Sequence, residues 1–83
     1  MEHLILTPFH LAIALRNRRK TLQLTQAEAA AKVGLLSKTI SALENDPQRC
    51  TLDSFLKLLS ALDLELTLKP KSTSAADLQK GEW

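Results

Sequence analysis

The sequence predicts a mainly α-helical domain of four to five short helices that ends in a single β-strand. Three observations support this fold class. Apolar residues recur every three or four positions, polar capping residues precede these stretches, and the leucine spacing changes to two near the end. With 83 residues, 45% of them hydrophobic, the chain is long enough for one domain, and its small core favours help from a partner subunit.

The first helix is predicted to begin at Pro8 and to end near Thr21. Thr7 supplies a capping oxygen, and proline is favoured at the first helical position because it has no amide hydrogen to satisfy. Leu15 and Arg19 lie four positions apart, so the stem of the arginine falls on the core side of the helix. Its guanidinium therefore needs a partner.

The second helix is predicted from a capping box and a glycine. Thr25 and Glu28 match the pattern in which a hydroxyl and a carboxylate bond each other's backbone amides, so a helix begins at Gln26. Alanines and Val33 give it a narrow apolar side that suits close packing. Gly34 then provides the left-handed backbone that ends it.

The third helix has an inner and an outer side. Ile40 and Leu43 lie three positions apart and share the inner face. The outer side carries small or polar side chains, namely Ser37, Lys38, Ser41 and Ala42. Side chains of this kind are able to reach base edges in a DNA groove.

A fourth helix is predicted from Thr51, after a loop at residues 46–48. Behind this capping residue, apolar side chains repeat at three- and four-residue steps, at Leu52, Phe55, Leu59 and Leu62. We expect this face to close the core over the two middle helices.

The chain then changes to strand spacing. Leu64, Leu66 and Leu68 alternate with polar residues, and Pro70 stops the pattern. An isolated strand leaves backbone groups unpaired, so it needs a partner. The candidates are the same strand of another subunit, residues 3–6, or its own core in extended form, and exchange across a homodimer is preferred.

The segment 25–45 resembles the helix-turn-helix of the phage-repressor (Xre/Cro) family. The motifs L-T-Q, A-x-K-V-G and I-S-x-L-E-N occur together at the family's spacing, and the match extends over about residues 11–62. The resemblance implies a phage-repressor-like fold that binds a palindromic operator in double-stranded DNA. It also implies a structural ion pair between Arg19 and Glu44.

The resemblance carries over DNA contacts as well. It implies base contacts for Leu36, Ser37, Lys38 and Ala42, and phosphate contacts for Gln26, Thr39 and Ser41. Lys38 is the strongest base contact, because its ammonium donates to guanine O6 and N7. Gln26 lies in a first helical turn, where free amides and the helix dipole also favour an anion.

The distribution of charge also favours DNA contact at the helix-turn-helix. The net charge is only +2, but between residues 16 and 49 seven basic side chains face three acidic ones, a local excess of four. Residues 51–68 carry one basic and three acidic side chains. A basic run beside a helix-turn-helix favours phosphate contact, for which Arg18 and Lys20 are candidates.

One residue departs from the family pattern. Leu36 occupies a position that is usually a polar N-cap, and Ser37 follows it. If the third helix starts one residue late, Ser37 is occupied in capping and the base-contacting set contracts toward Lys38 and Ala42. Leu36 would then be free to contact a thymine methyl group.

The last residues resemble the tail of HipB antitoxins. Residues 71–83 are mostly polar, so we expect residues 70–83 to form a flexible tail behind a DNA-binding and dimerisation domain at 1–69. Together with the strand, this tail and its terminal Trp83 extend the resemblance over nearly the whole chain. It implies an autoregulating repressor and antitoxin, a HipA-like serine/threonine kinase toxin as partner, and toxin contact through Trp83.

Other classes of protein fit poorly. The sequence has no nucleophile beside a base, no metal-ligand spacing and no phosphate-binding glycine loop, so we expect no enzyme, metal or cofactor. Cys50 is expected to be a bystander, and with no membrane span or secretory signal a bacterial cytoplasmic, nucleoid-associated location is expected. Two alternatives to the antitoxin stay open: a solitary phage-type repressor and a protein-interaction adaptor.

Overall fold

The computed structural model describes residues 3–71, which form four α-helices and one short 3-10 turn. The helices are α1 (Pro8–Thr21), α2 (Gln26–Val33), α3 (Ser37–Asn45) and α4 (Leu52–Ala61), and the 3-10 turn between α3 and α4 is Pro47–Arg49. The mainly helical class and the four helices are therefore confirmed. No helix in residues 3–71 is long and apolar enough to cross a membrane.

The predicted caps fix the helix starts. The Thr7 Oγ1 accepts a hydrogen bond from the His10 amide at 3.1 Å, and the Thr51 hydroxyl caps α4 in the same way. At α2 the capping box is complete: the Thr25 amide donates to Glu28 Oε1 at 2.8 Å, and the Glu28 amide donates to Thr25 Oγ1 at 3.0 Å. Local chemistry thus sets three of the four starts.

One core forms where the four helices meet. Its buried members come from every helix: Leu15, Ala29, Ala30, Ile40, Leu43, Leu58, Leu59, Ala61 and Leu62. The predicted face of α4 is partly wrong, because Leu52 is 66% exposed and Leu58 is fully buried. Leu58 and Leu62 lie four apart on the side that meets the other helices, whereas Leu52 lies at the first turn, beyond the edge of the core.

The leucine-alternating segment forms no strand within the single described chain. Leu64 is half-buried against the core, whereas Leu66 and Leu68 are 55% and 85% exposed. Pairing of this segment across a dimer therefore stays a prediction. The predicted tail lies mostly outside the described residues, and so does Trp83.

Candidate nucleic-acid interface

A three-residue turn joins α2 to α3. Gly34 adopts φ 71° and ψ 28°, a left-handed conformation that strains residues with a Cβ, and the Leu35 amide donates to the Ala30 carbonyl at 2.9 Å. Ala29 and Ala30 are buried, and their small side chains let α3 approach α2 closely. The predicted turn and the predicted narrow face thus hold the two helices in a fixed relation.

Helix α3 is divided into a buried and an exposed face. Ile40, Leu43 and Glu44 are almost completely buried. The predicted base contacts all lie on the exposed side, at Leu36, Ser37, Lys38 and Ala42, and Thr39 and Ser41 flank them, half-buried. We call these four exposed residues the recognition stripe. Within residues 3–71, none of their side chains makes a hydrogen bond or an ion pair.

The start of α3 decides between two sequence-based alternatives. The helix begins at Ser37 with Leu36 as its N-cap, and no side chain caps it. The alternative of a later start with Ser37 as the cap is therefore wrong. The Leu36 carbonyl instead accepts from the amides of Thr39 and Ile40, at 2.9 and 3.3 Å. The hydroxyl of Ser37 consequently stays available in the recognition stripe.

A buried carboxylate fixes the other face of α3. Glu44 is only 2% exposed, and Arg19 of α1 donates to both of its oxygens, from Nε at 2.6 Å and from Nη2 at 3.0 Å. Arg19 Nη1 also donates to the Leu24 carbonyl at 2.8 Å. The hydrogen bond with Glu44 raises the pKa of Arg19 above its ordinary value, so this guanidinium stays charged.

An arginine and a glutamine also contact Glu44, and sequence analysis assigned neither to it. Arg16 Nε lies 3.9 Å from Glu44 Oε1. Arg16 Nη2 donates to the Glu44 carbonyl oxygen at 3.1 Å and to Asn45 Oδ1 at 3.0 Å. Gln26 Nε2 donates to Glu44 Oε1 at 3.3 Å. We call Arg16, Arg19, Gln26 and Glu44 the Glu44 junction, since it joins α1, α2 and α3. Arg16 precedes Arg19 by three positions, so their shared helix face was a usable signal.

The two phosphate candidates of α1 differ in their surroundings. Arg18 is half-buried, and its Nε donates to the Leu62 carbonyl at 2.9 Å, at the carboxyl end of α4. This bond joins α1 to the carboxyl end of α4. Lys20 is exposed, and its side chain contacts no partner in the described residues. Lys20 is thus the freer of the two cations.

Cys50 lies half-buried beside the 3-10 turn, where its Sγ approaches the Asp46 carbonyl at 3.7 Å. Burial, and after it the charge of Asp46, raise the pKa of the thiol. Because the thiolate is the reactive form, this environment lowers the reactivity of Cys50.

Comparison with known proteins identifies relatives of this geometry. A family model described as "Helix-turn-helix" matches residues 15–69. Antitoxin HipB of Escherichia coli O6:H1 is 40% identical over 82 residues, which span 95% of this chain and 87% of that protein.

Two solved structures share the fold. The HipA-HipB-O2-O3 complex and the HipB-O4 20mer complex each match with a TM-score of 0.80 and 38% identity. Each match covers 87% of this chain and 100% of the chain in the complex.

Proposed function

The chain belongs to the HipB antitoxins of the helix-turn-helix family, and from this premise we propose that it represses transcription and neutralises a toxin. It would bind a palindromic operator in its own operon and thereby regulate its own synthesis. Its partner would be a HipA-like serine/threonine kinase toxin. The protein itself would carry no catalytic activity and would act in the bacterial cytoplasm, at the nucleoid.

The recognition stripe is the observation that carries this proposal. It is a row of exposed side chains without hydrogen-bond or ion-pair partners in the described part of the chain, on a helix whose opposite face is buried. At the other end of the same helix Asn45 bonds Ser41 and Arg16, whereas the side chains of Ser37 and Lys38 are left for another molecule. The stripe starts at the amino end of the second helix of the motif, the end that a helix-turn-helix inserts into the major groove.

Individual roles follow from exposure and chemistry. Lys38 would donate to guanine, and Leu36, Ser37 and Ala42 would contact neighbouring base edges or thymine methyl groups. Thr39, Ser41 and Lys20 would bind phosphates beside them. Gln26 and Arg18 would contact phosphate only with the donor groups left over from their bonds to Glu44 and to the Leu62 carbonyl.

A homodimer would complete the site. A palindromic operator presents the same half-site twice, and two copies related by a two-fold axis place two recognition helices on it. The segment with Leu64, Leu66 and Leu68 would supply the contact, as a strand paired with its copy in the partner subunit. Two of these three leucines are more than half exposed in the single chain, which supports a partner that covers them.

Toxin binding is proposed for the tail. A relative of 38% identity is described in a complex of HipA and HipB. This relative supports a toxin partner, and we propose that the chain would divide into a DNA-binding and dimerisation domain at residues 1–69 and a tail at 70–83 that contacts the toxin through Trp83. Aromatic side chains of this size often contribute a large share of the affinity at protein interfaces.

DNA binding is tested by fluorescence anisotropy on duplexes that tile the region upstream of the chain's own gene. We expect one duplex to bind preferentially, and its affinity to fall steeply between about 50 and 200 mM salt, because bound phosphates release counterions. Lys38→Ala in the recognition stripe is the test variant. Lys57→Ala on α4, outside the stripe, is its matched control for affinity. Absence of binding to any duplex at the lower salt would favour the adaptor alternative.

Toxin binding is tested by a pull-down from the native host with the full chain and with a version that ends at Pro70, followed by mass spectrometry. Recovery of a kinase by the full chain alone would support the tail as the contact. Recovery by both versions would move the contact to the helical domain. If neither version retains a kinase while DNA binding persists, the chain is the solitary repressor.

A further inference from the structure

We propose that residues 3–6 form an outer strand of the dimer sheet, paired with the C-terminal leucine segment of a second copy of this chain. We call residues 3–6 the N-terminal segment and residues 64–69 the C-terminal segment. The inference rests on the proposed homodimer and extends it, since it adds a second element to the interface.

The backbone hydrogen bonds of the described chain single out these two segments. Every bend, cap and turn between residues 7 and 64 makes bonds between backbone groups. Within residues 3–71, neither residues 3–6 nor residues 65–69 make any such bond. Buried backbone groups are nearly always paired, so segments that become covered in a dimer need partners for them. Two segments with this same need supply each other's partners in a β-ladder.

The side chains of both segments are apolar and exposed. In the N-terminal segment, Leu4 is 82% and Leu6 is 68% exposed, and in the C-terminal segment Leu66 and Leu68 are similarly open to solvent. Scattered surface leucines are common, but rows of them on unpaired backbone favour association with another chain. Cross-strand packing would remove both rows from water.

An apolar groove lies beside the N-terminal segment. Leu4 and Ile5 line this groove together with Ile13 and Ala14 of α1, and the polar side chains of His3, His10 and Asn17 complete its lining. A leucine from a strand that pairs with this segment would find this groove next to it. The groove thus gives the pairing an apolar floor.

A two-stranded sheet across the dimer would be marginal by itself. A sheet in water generally needs three or more strands, or a helix packed on it, for stability. If the two C-terminal segments pair centrally, each keeps one free edge. An N-terminal segment on each edge gives four strands, with α1 packed against the outer pair.

The partner's segment is favoured over the chain's own. Arg18 binds the Leu62 carbonyl at 2.9 Å, which fixes the start of the C-terminal segment at the far end of α1 from the N-terminal segment. In the single chain the two segments make no backbone bond to each other, and the leucines of both stay exposed. A second copy related by a two-fold axis can reverse the direction of α1 and bring them together.

Disulfide trapping tests the pairing and its intermolecular character. In a Cys50→Ser background, Ile5→Cys is combined in turn with Glu65→Cys, Thr67→Cys and Lys69→Cys. These pairs cover the registers that place the leucines of both segments on the same face of the sheet. After mild oxidation we expect at least one combination to give a covalent dimer on a non-reducing gel, in which peptide mass spectrometry finds a bond between position 5 of one chain and the C-terminal segment of the other. The Ile5→Cys variant alone should stay a monomer, because the two N-terminal segments lie on opposite edges of the sheet. A bond within one chain, or no bond in any register, would overturn the proposal.

Sedimentation equilibrium gives an independent measure. We expect Leu6→Asp to raise the dissociation constant of the dimer at least about tenfold. The substitution would bury a carboxylate in place of an apolar contact at each of the two symmetry-related sites. Leu52→Asp is the matched control, since Leu52 is exposed to nearly the same extent and lies on α4. Both variants should keep the helical circular dichroism of the parent chain.

The outcomes separate the two proposals. If the parent chain is monomeric at all concentrations, the homodimer itself is wrong, and the strand pairing with it. If the parent dimerises and Leu6→Asp has no more effect than Leu52→Asp, the homodimer stands and the N-terminal segment is excluded from its interface.

Discussion

The two faces of α3 differ in how their side chains are satisfied. On the inner face Glu44 is buried and accepts bonds from two other helices, whereas on the outer face the side chains of the recognition stripe bond no residue between 3 and 71. One helix thus combines a polar group bonded within the protein with polar groups that are open to solvent. From this difference we expect substitutions on the inner face to affect folding and substitutions on the outer face to affect binding.

Removal of the Glu44 carboxylate should have the largest effect, and this effect should be on folding. We expect Glu44→Ala to lower the free energy of unfolding by about 3 to 5 kcal/mol, because it leaves the Arg19 guanidinium buried without its counterion. Urea unfolding at neutral pH measures the change. Lys32→Ala, at an exposed position of α2 outside the junction, is the control and should have almost no effect. A loss below about 1 kcal/mol would mean that water replaces the carboxylate readily.

The largest effect on the outer face should be on affinity. We expect Lys38→Ala to weaken binding to the preferred duplex by about 10- to 100-fold, since a specific base contact contributes about 1 to 3 kcal/mol. The free energy of unfolding should change by less than about 0.5 kcal/mol. Anisotropy and urea unfolding on the same preparation measure both. Equal losses in affinity and stability would contradict the separation of the two faces.

Arg16 and Arg19 should differ in how strongly each stabilises the Glu44 junction. Its side chain is 41% exposed against 13% for Arg19, although both approach the same glutamate. We expect Arg16→Ala to lower the free energy of unfolding by only about 1 kcal/mol, well below the effect of Arg19→Ala, because water can replace its bonds. Thermal or urea unfolding of the two variants gives the ranking, and a reversed order would assign the main stabilising role to Arg16.

The smallest expected effect is a gain in stability. Leu36 gives α3 no side-chain cap. We expect Leu36→Ser to raise the free energy of unfolding by about 0.5 to 1 kcal/mol, because a serine oxygen accepts from a free amide of the first turn. Binding to the preferred duplex should weaken at the same time. Leu52→Ser, an exposed leucine at a helix start that is already capped, should show neither change.

The sequence predicts the local parts of this architecture well. Thr7, Thr25 with Glu28, Gly34 and Thr51 act within a few residues of themselves, and the structure has each helix start or turn where they predict it. The pairing of Arg19 came from a family resemblance, and its geometry agrees, with a shortest contact of 2.6 Å.

Contacts between distant elements were harder to predict. Helical spacing assigned Leu52 to the core and gave no partner to Arg16, and it left Arg18 free although it binds the end of α4. Spacing states which residues share a face, but it does not state which element lies opposite or where the core ends. The sequence also left two possible starts for α3. An apolar N-cap such as Leu36 forms no side-chain hydrogen bond that would mark the first residue of the helix.

The Glu44 junction also has an evolutionary consequence. Because it holds α3 from the inside, we expect single substitutions at Ser37, Lys38 or Ala42 to alter what the protein binds without first compromising its folding. A lineage with this architecture can therefore explore new operator sequences one residue at a time. Duplicated copies in one genome can diverge to separate targets through viable intermediates, which keeps each regulator from acting on the other's genes.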